Sequence, residues 1–168
     1  DSADTTTGGI VGINHGTLIN CQFTGVVTGD SEVGGIVGRN ESEGTIDHST
    51  ARAIVTGKSS TGGIAGYNLG AITGCTNVGS INTEYQEASL DTDGFTAKMV
   101  DYINNKMAAA DDDTTNSVTN VATDTGGIAG RSSGMILTSV NTGTVGYEHI
   151  GYNVGGIVGR TDGLVSGC

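Results

Sequence analysis

One string constrains this chain more than any other: Gly-Gly-Ile-Val/Ala-Gly occurs five times, beginning at Gly8, Gly34, Gly62, Gly126 and Gly155. Successive copies are separated by 26, 28, 64 and 29 residues. The long step equals one period of about 28 residues plus an inserted segment, so the chain reads as a repeat protein. The register continues beyond the signature. A further glycine follows each copy (Gly16, Gly44, Gly70, Gly134, Gly163), and two residues later stands an aliphatic side chain (Leu18, Ile46, Ile72, Ile136, Val165). Next come Cys21, Ser49, Cys75, Ser139 and Cys168, then the small residues Gly25, Ala53, Gly79 and Gly143, and finally Val27, Val55, Ile81 and Val145.

Each period thus holds three short aliphatic runs separated by Gly, Asn, Ser, Asp and Thr turn chemistry. One such unit cannot bury its apolar face alone, but stacked units can, with equivalent positions about 4.8 Å apart in parallel ladders. The expected fold is all-β: a parallel β-helix, or β-solenoid, with three short strands per coil. Its inward columns are the Ile10, Leu18 and Val27 series. Glycine suits corners of positive φ or close backbone approach. Asn14, Asn40 and Asn68 recur just after the signature, and Asn tolerates the left-handed region at a corner. A meander of hairpins with Asn-x-Gly turns is the competing reading. Against it stands the variable turn length, Asn14-His15-Gly16 beside Asn40-Glu41-Ser42-Glu43-Gly44.

The 30 glycines among 168 residues are therefore architecture rather than linker, and no Gly-X-Y collagen period is present. Seven basic against 18 acidic side chains give a net charge of −11. This balance disfavours nucleic acid as a partner, because phosphate neutralisation needs clustered Lys and Arg. Anionic membrane surfaces are disfavoured likewise, and no apolar run is long enough to span a bilayer as a helix. The opening Asp-Ser-Ala-Asp reads as that of a mature or excised fragment.

The run Gly-Gly-Ile-Val-Gly-x-Asn, followed by Gly-x-Ile-x-x-Cys/Ser and Thr-Gly-x-Val, resembles the GLUG motif. That repeat occurs in large secreted and surface proteins of bacteria, including filamentous-haemagglutinin-like adhesins and immunoglobulin-A-specific metallopeptidases. The resemblance covers residues 8–83 and 126–168. It implies a scaffold in an extracellular or bacterial cell-surface protein, and it carries no catalytic residues onto this chain.

The residues themselves point the same way. Cys21, Cys75 and Cys168 share one column at alternate repeats, about 9.6 Å apart, whereas a disulfide needs Cα atoms within about 7 Å. Three free, buried thiols are expected. These cysteines lack partner ligands for a metal. His15, His48 and His149 are scattered, and no His-Glu-x-x-His, Gly-x-Ser-x-Gly or phosphate-loop pattern occurs. Acidic residues cluster in turns (Asp30, Glu32, Glu41, Glu43) and in the insertion, rather than facing each other as a carboxylate pair would. No catalytic residue, cofactor or metal site is expected. Asn40-Glu41-Ser42 fits a glycosylation acceptor, meaningful in a eukaryotic secretory context.

Residues 84–120 interrupt the repeat. Asp93 is placed to cap a helix over about 94–110, with Phe95, Met99, Ile103 and Met107 forming one apolar stripe at i, i+4 spacing. That stripe either docks on the solenoid or binds a partner. The whole chain, 1–168, is expected to be one solenoid domain with this insertion. Its expected role is a non-catalytic structural or adhesive module of a larger protein, its partner a host or cell-surface protein or a glycan. Alternatives are an accessory region of a secreted peptidase, a fragment of a polysaccharide-active β-helix, or a self-assembling filament subunit associating end to end.

Overall fold

The computed structural model describes residues 5–83, 123–146 and 152–168. They lie in one unit assembled from Asp1–Glu84 and Val121–Cys168. All described regular structure is β-strand, and every strand pairing is parallel. The chain winds as a β-solenoid. The expected helix over 94–110, with Phe95, Met99, Ile103 and Met107, lies outside the described residues.

The second coil shows the plan: β5 (Ser31–Gly34), β6 (Val37–Asn40), β7 (Thr45–Asp47) and β8 (Thr50–Thr56). Before it run β1 (Thr7–Gly8), β2 (Val11–Asn14), β3 (Thr17–Ile19) and β4 (Gln22–Thr28). After it come β9 (Ser59–Gly62), β10 (Ala65–Asn68), β11 (Ala71–Thr73), β12 (Thr76–Asn77) and β13 (Ser80–Ile81). The fourth coil holds β14 (Thr123–Gly126), β15 (Ala129–Ser132), β16 (Met135–Leu137), β17 (Val140–Asn141) and β18 (Thr144–Val145). The fifth contributes β19 (Tyr152–Gly155), β20 (Val158–Thr161) and β21 (Leu164–Ser166). Equivalent strands build four parallel sheets. Across residues 84–122 the register resumes without a slip: Ser59 faces Thr123 and Ile81 faces Val145.

β12 and β13 both pair with the single strand β8, so a complete coil has four strand positions, one more than the aliphatic runs alone suggest. The extra strand precedes the signature, as Ser31–Gly34 does, and its sequences share little apolar pattern. What holds it is glycine. A Cβ on Gly66 of β10 would run into the backbone of Glu32 and Val33 in β5, and one on Gly130 of β15 into Ser60 and Thr61 in β9. Two backbones pass with nothing between them, a contact that no side chain survives.

The predicted columns are real. Ile46 pairs with Leu18 and Ile72, and Ile72 with Ile136, which pairs with Val165. Val55 likewise pairs with Val27 and Ile81. In the inner coils these side chains are fully buried, as are Ile36, Ile64 and Ile128. Each such burial stabilises by about 1.5–3 kcal/mol, so the repeat supplies the core one layer per coil. A second cluster, Val27, Val33, Ala53, Val55 and Ile81, fills the corner between β8-type and β5-type strands.

The left-handed corners are elsewhere than expected. Asn14, Asn40 and Asn68 are absent from the positive-φ residues. One positive-φ column instead runs Asn20, His48, Gly74, Thr138 and Gly167, and another runs Glu32, Ser60, Asp124 and Asn153. Thr138 is the anomaly, an exposed β-branched residue at φ 48°. Left-handed backbone costs about 1–2 kcal/mol without glycine, so Thr138→Gly should stabilise the protein by about 0.5–1 kcal/mol once the added entropy of glycine is subtracted. Urea denaturation with an unchanged slope checks this.

Candidate binding surface

The asparagines that follow the first three signatures form an interior ladder, continued by the serine that follows the fourth. The Asn14 amide donates to Asn40 Oδ1 at 2.8 Å, the Asn40 amide to Asn68 Oδ1 at 2.8 Å, and the Asn68 amide to Ser132 Oγ at 3.1 Å. Each amide also donates across its own turn, to the carbonyls of Gly16, Gly44 and Gly70. Asn40, Asn68 and Ser132 are fully buried. A shorter ladder joins Asn77 to Asn141 at 2.8 Å. Full burial also removes Asn40 as a glycosylation acceptor in the folded protein.

The cysteine column works by the same logic. The N–H of Cys21 donates to Ser49 Oγ at 3.1 Å, that of Ser49 to Cys75 Sγ at 3.5 Å, and that of Cys75 to Ser139 Oγ at 3.2 Å. Cysteine and serine alternate because either supplies one polar atom on Cβ. All three thiols are free, as expected, but burial varies along the stack: Cys75 is buried, Cys21 half-buried and Cys168 exposed. Burial pushes the Cys75 thiol up to about 11, although backbone hydrogen bonds at Ser49 and Thr73 oppose the shift. Thiolate is the reactive form. A native-state thiol titration at pH 8 should therefore modify Cys168 first and leave Cys75 untouched until the protein unfolds.

The outward faces offer one organised feature. β2, β6, β10, β15 and β20 align Ile13, Arg39, Tyr67, Arg131 and Arg160 in a single column. Three of the chain's seven basic residues stand there. The Arg39 and Arg131 guanidinium carbons lie 5.3 and 5.2 Å from the Tyr67 ring centroid, so neighbouring coils place a cation beside each face of the ring. Such a contact is worth about 0.5–1 kcal/mol at an exposed site. Arg39 also pairs with Glu32 at 3.1 Å and Glu41 at 2.8 Å. Burial works against its charge, but these two carboxylates outweigh it and raise its pKa. A hydrogen bond with Ser133 holds the Asp162 carboxyl below its ordinary range, helped by the charges of Arg131 and Arg160. The signal for this column was present in the signature itself, as the variable residue after its last glycine.

The remaining charges are scattered. His15 meets Glu43 at 3.0 Å, His48 meets Asp47 at 2.8 Å, and Lys58 meets Asp30 at 2.6 Å. Hydrogen bonds from His15 and then Ser42 hold the exposed Glu43 carboxyl down to about 2. Among the described residues no group of three His, Cys, Asp or Glu side chains is placed to hold a metal ion. Phe95, Met99, Ile103 and Met107 lie outside the described residues.

The architecture defines a class, the parallel β-solenoid built from short glycine-rich repeats. Within that class, residues 29–56 match the family model described as the GLUG motif. The matched span is the second coil, from the glycine ahead of β5 to the end of β8, and its register recurs in the other coils. The chain thus carries a GLUG-repeat region, and the motif marks a repeat module. No curated protein and no solved structure matches the chain.

Proposed function

We propose that this chain is a non-catalytic structural and adhesive module of a larger secreted or cell-surface bacterial protein. It works as a stiff spacer that also offers a contact face to a host or cell-surface protein or glycan. The observation that carries the reading is the continuity of the internal ladders. Asn14, Asn40, Asn68 and Ser132 join four successive coils through buried side-chain hydrogen bonds. A fully satisfied buried network specifies one arrangement, because any slip strands several polar groups at once. Such material resists bending and proteolysis, which a scaffold needs and an enzyme's moving parts do not.

The Arg39–Tyr67–Arg131–Arg160 column is the contact face in this reading. It combines donors suited to carboxylate or sulfate with an aromatic ring, on an otherwise acidic chain. A glycan and host-protein array with the whole chain tests it. Binding that falls at least tenfold in Tyr67→Ala/Arg131→Ala supports adhesion through this face. An array without any specific signal removes the adhesive half of the proposal.

A further inference from the structure

The outward column of β2, β6, β10, β15 and β20 is chemically unequal along its length. Arg39 is neutralised within the chain, by Glu32 at 3.1 Å and Glu41 at 2.8 Å. Around Arg131 and Arg160 the same two positions hold other residues. The counterparts of Glu32 are Asp124 and Asn153, which share its left-handed backbone column. Asp124 is one methylene shorter, and its carboxylate accepts from the Asn153 amide at 2.7 Å. The counterparts of Glu41 are Ser133 and Asp162, whose N–H groups donate to the preceding coil as that of Glu41 does. Among the described residues no carboxylate lies within ion-pair distance of Arg131 or Arg160. Strand pairing sets Arg131 of β15 directly opposite Arg160 of β20, the first half-buried and the second exposed.

Tyr67 does not offer a platform for a stacked sugar ring. Guanidinium carbons from the two neighbouring coils stand 5.3 and 5.2 Å from its centroid, so both ring faces are covered. Its hydroxyl meets Ser133 Oγ at 3.2 Å. The ring therefore positions Arg131, and the groups left to recognise a ligand are the two guanidiniums.

We propose that Arg131 and Arg160 together hold one oxyanion, a carboxylate or sulfate, of an acidic glycan, while Asp162 accepts hydrogen bonds from its hydroxyls. This rests on the column being a contact face, and it names the chemistry of the ligand. Two guanidiniums one strand spacing apart, about 4.8 Å, can both donate to an oxyanion lying between them. Asp162 is exposed beside them, its N–H donating to the Ser132 carbonyl at 3.0 Å and its carboxylate bonded to Ser133. That carboxylate selects between two kinds of anion. An acidic peptide would bring a run of carboxylates against Asp162, on a chain already at −11. An acidic sugar carries its oxyanion among neutral hydroxyls, and each hydroxyl is a donor that a carboxylate can accept. The pattern of two cations and one acceptor therefore matches a charged sugar better than a polyacidic segment.

The test is calorimetric titration of the whole chain with four probes: an oligogalacturonate, its uncharged methyl ester, a sulfated galactan oligosaccharide and an oligoglutamate. At least one of the two charged glycans should bind, and the oligoglutamate should bind more weakly than that glycan. Loss of the charge, in the methyl ester or in Arg160→Gln, should weaken binding by about tenfold or more. The guanidinium N–H signals of Arg131 and Arg160 should move on binding in NMR spectra, while those of Arg39 stay in place. Added salt should weaken the complex, because the pair is solvent-accessible. The proposal is overturned if the methyl ester binds as well as its parent, or if Arg160→Gln binds like the wild type; the adhesive reading would survive either result. Tighter binding of oligoglutamate overturns it in favour of an acidic protein partner. Silence from all four probes also overturns it, whereas the adhesive reading falls only when the wider glycan and host-protein array is blank.

Discussion

Gly127→Ala should destabilise the protein by about 3 kcal/mol or more, whereas Gly156→Ala, the same change in the same column, should leave it within about 0.5 kcal/mol of wild type. The added methyl at 127 lands on the Gly156 carbonyl oxygen and against the amide of Asn141. Neither can withdraw, because one is backbone in a joint and the other is hydrogen-bonded to Asn77. Relief requires the coils to part, which breaks the Gly127–Gly155 and Ile128–Ile157 bonds beside it. At 156 the methyl meets nothing among the described residues. Chemical denaturation of the two variants measures the contrast. Equal losses would mean that glycine acts here through backbone freedom alone and that close coil contact is not its reason.

Asn40→Ala should cost about 2–4 kcal/mol, since it leaves several buried polar groups without partners. The Asn14 amide loses one of its acceptors, Asn68 Oδ1 loses the Asn40 donor, and the Gly44 carbonyl loses a bond at 3.1 Å. Asn40→Leu fills the space but restores none of these bonds, so it should be no better. Asn40→Ser should fall between Ala and wild type, because Ser132 already occupies this column and accepts from Asn68 at 3.1 Å. Urea midpoints for the three variants give the order. An Asn40→Ala protein within about 0.5 kcal/mol of wild type would show a solvated turn residue instead of a ladder member.

The repeat made much of this fold legible before any coordinates. Leu18, Ile46, Ile72, Ile136 and Val165 share a position of one period and one column of one sheet. Parallel stacking follows because that is how an in-register repeat buries such a column. The strand at Ser31–Gly34 was not legible, since its stability comes from glycine in the next coil and not from its own side chains. The asparagines were misread for a related reason. A turn-capping Asn and a ladder Asn have the same local sequence, and Asn14 does both, accepting from Gly16 N–H at 3.2 Å while donating to Asn40. Only the coil above distinguishes them. The true left-handed column, filled by Asn20, His48, Gly74, Thr138 and Gly167, carries no consistent residue type to betray it. Uniform burial of the cysteines was not found: Cys75 has described coils on both sides, whereas Cys21 and Cys168 lie in the outermost described coils. The Arg39–Tyr67–Arg131 stack needed only the repeat alignment to be found. The stripe Phe95, Met99, Ile103 and Met107 remains an expectation from periodicity, outside the described residues.

Spin labels on two exposed, paired residues test the in-register parallel stacking of successive coils most directly. Val26 in β4 faces Ile54 in β8 one strand away, and both side chains are solvent-exposed. The three cysteines can first be replaced by serine, the residue this column already uses at Ser49 and Ser139. With nitroxides at Val26→Cys and Ile54→Cys, adjacent strands about 4.8 Å apart predict strong dipolar broadening that is absent from either single label. A doubly labelled spectrum that is the plain sum of the two singles would contradict the stacked solenoid.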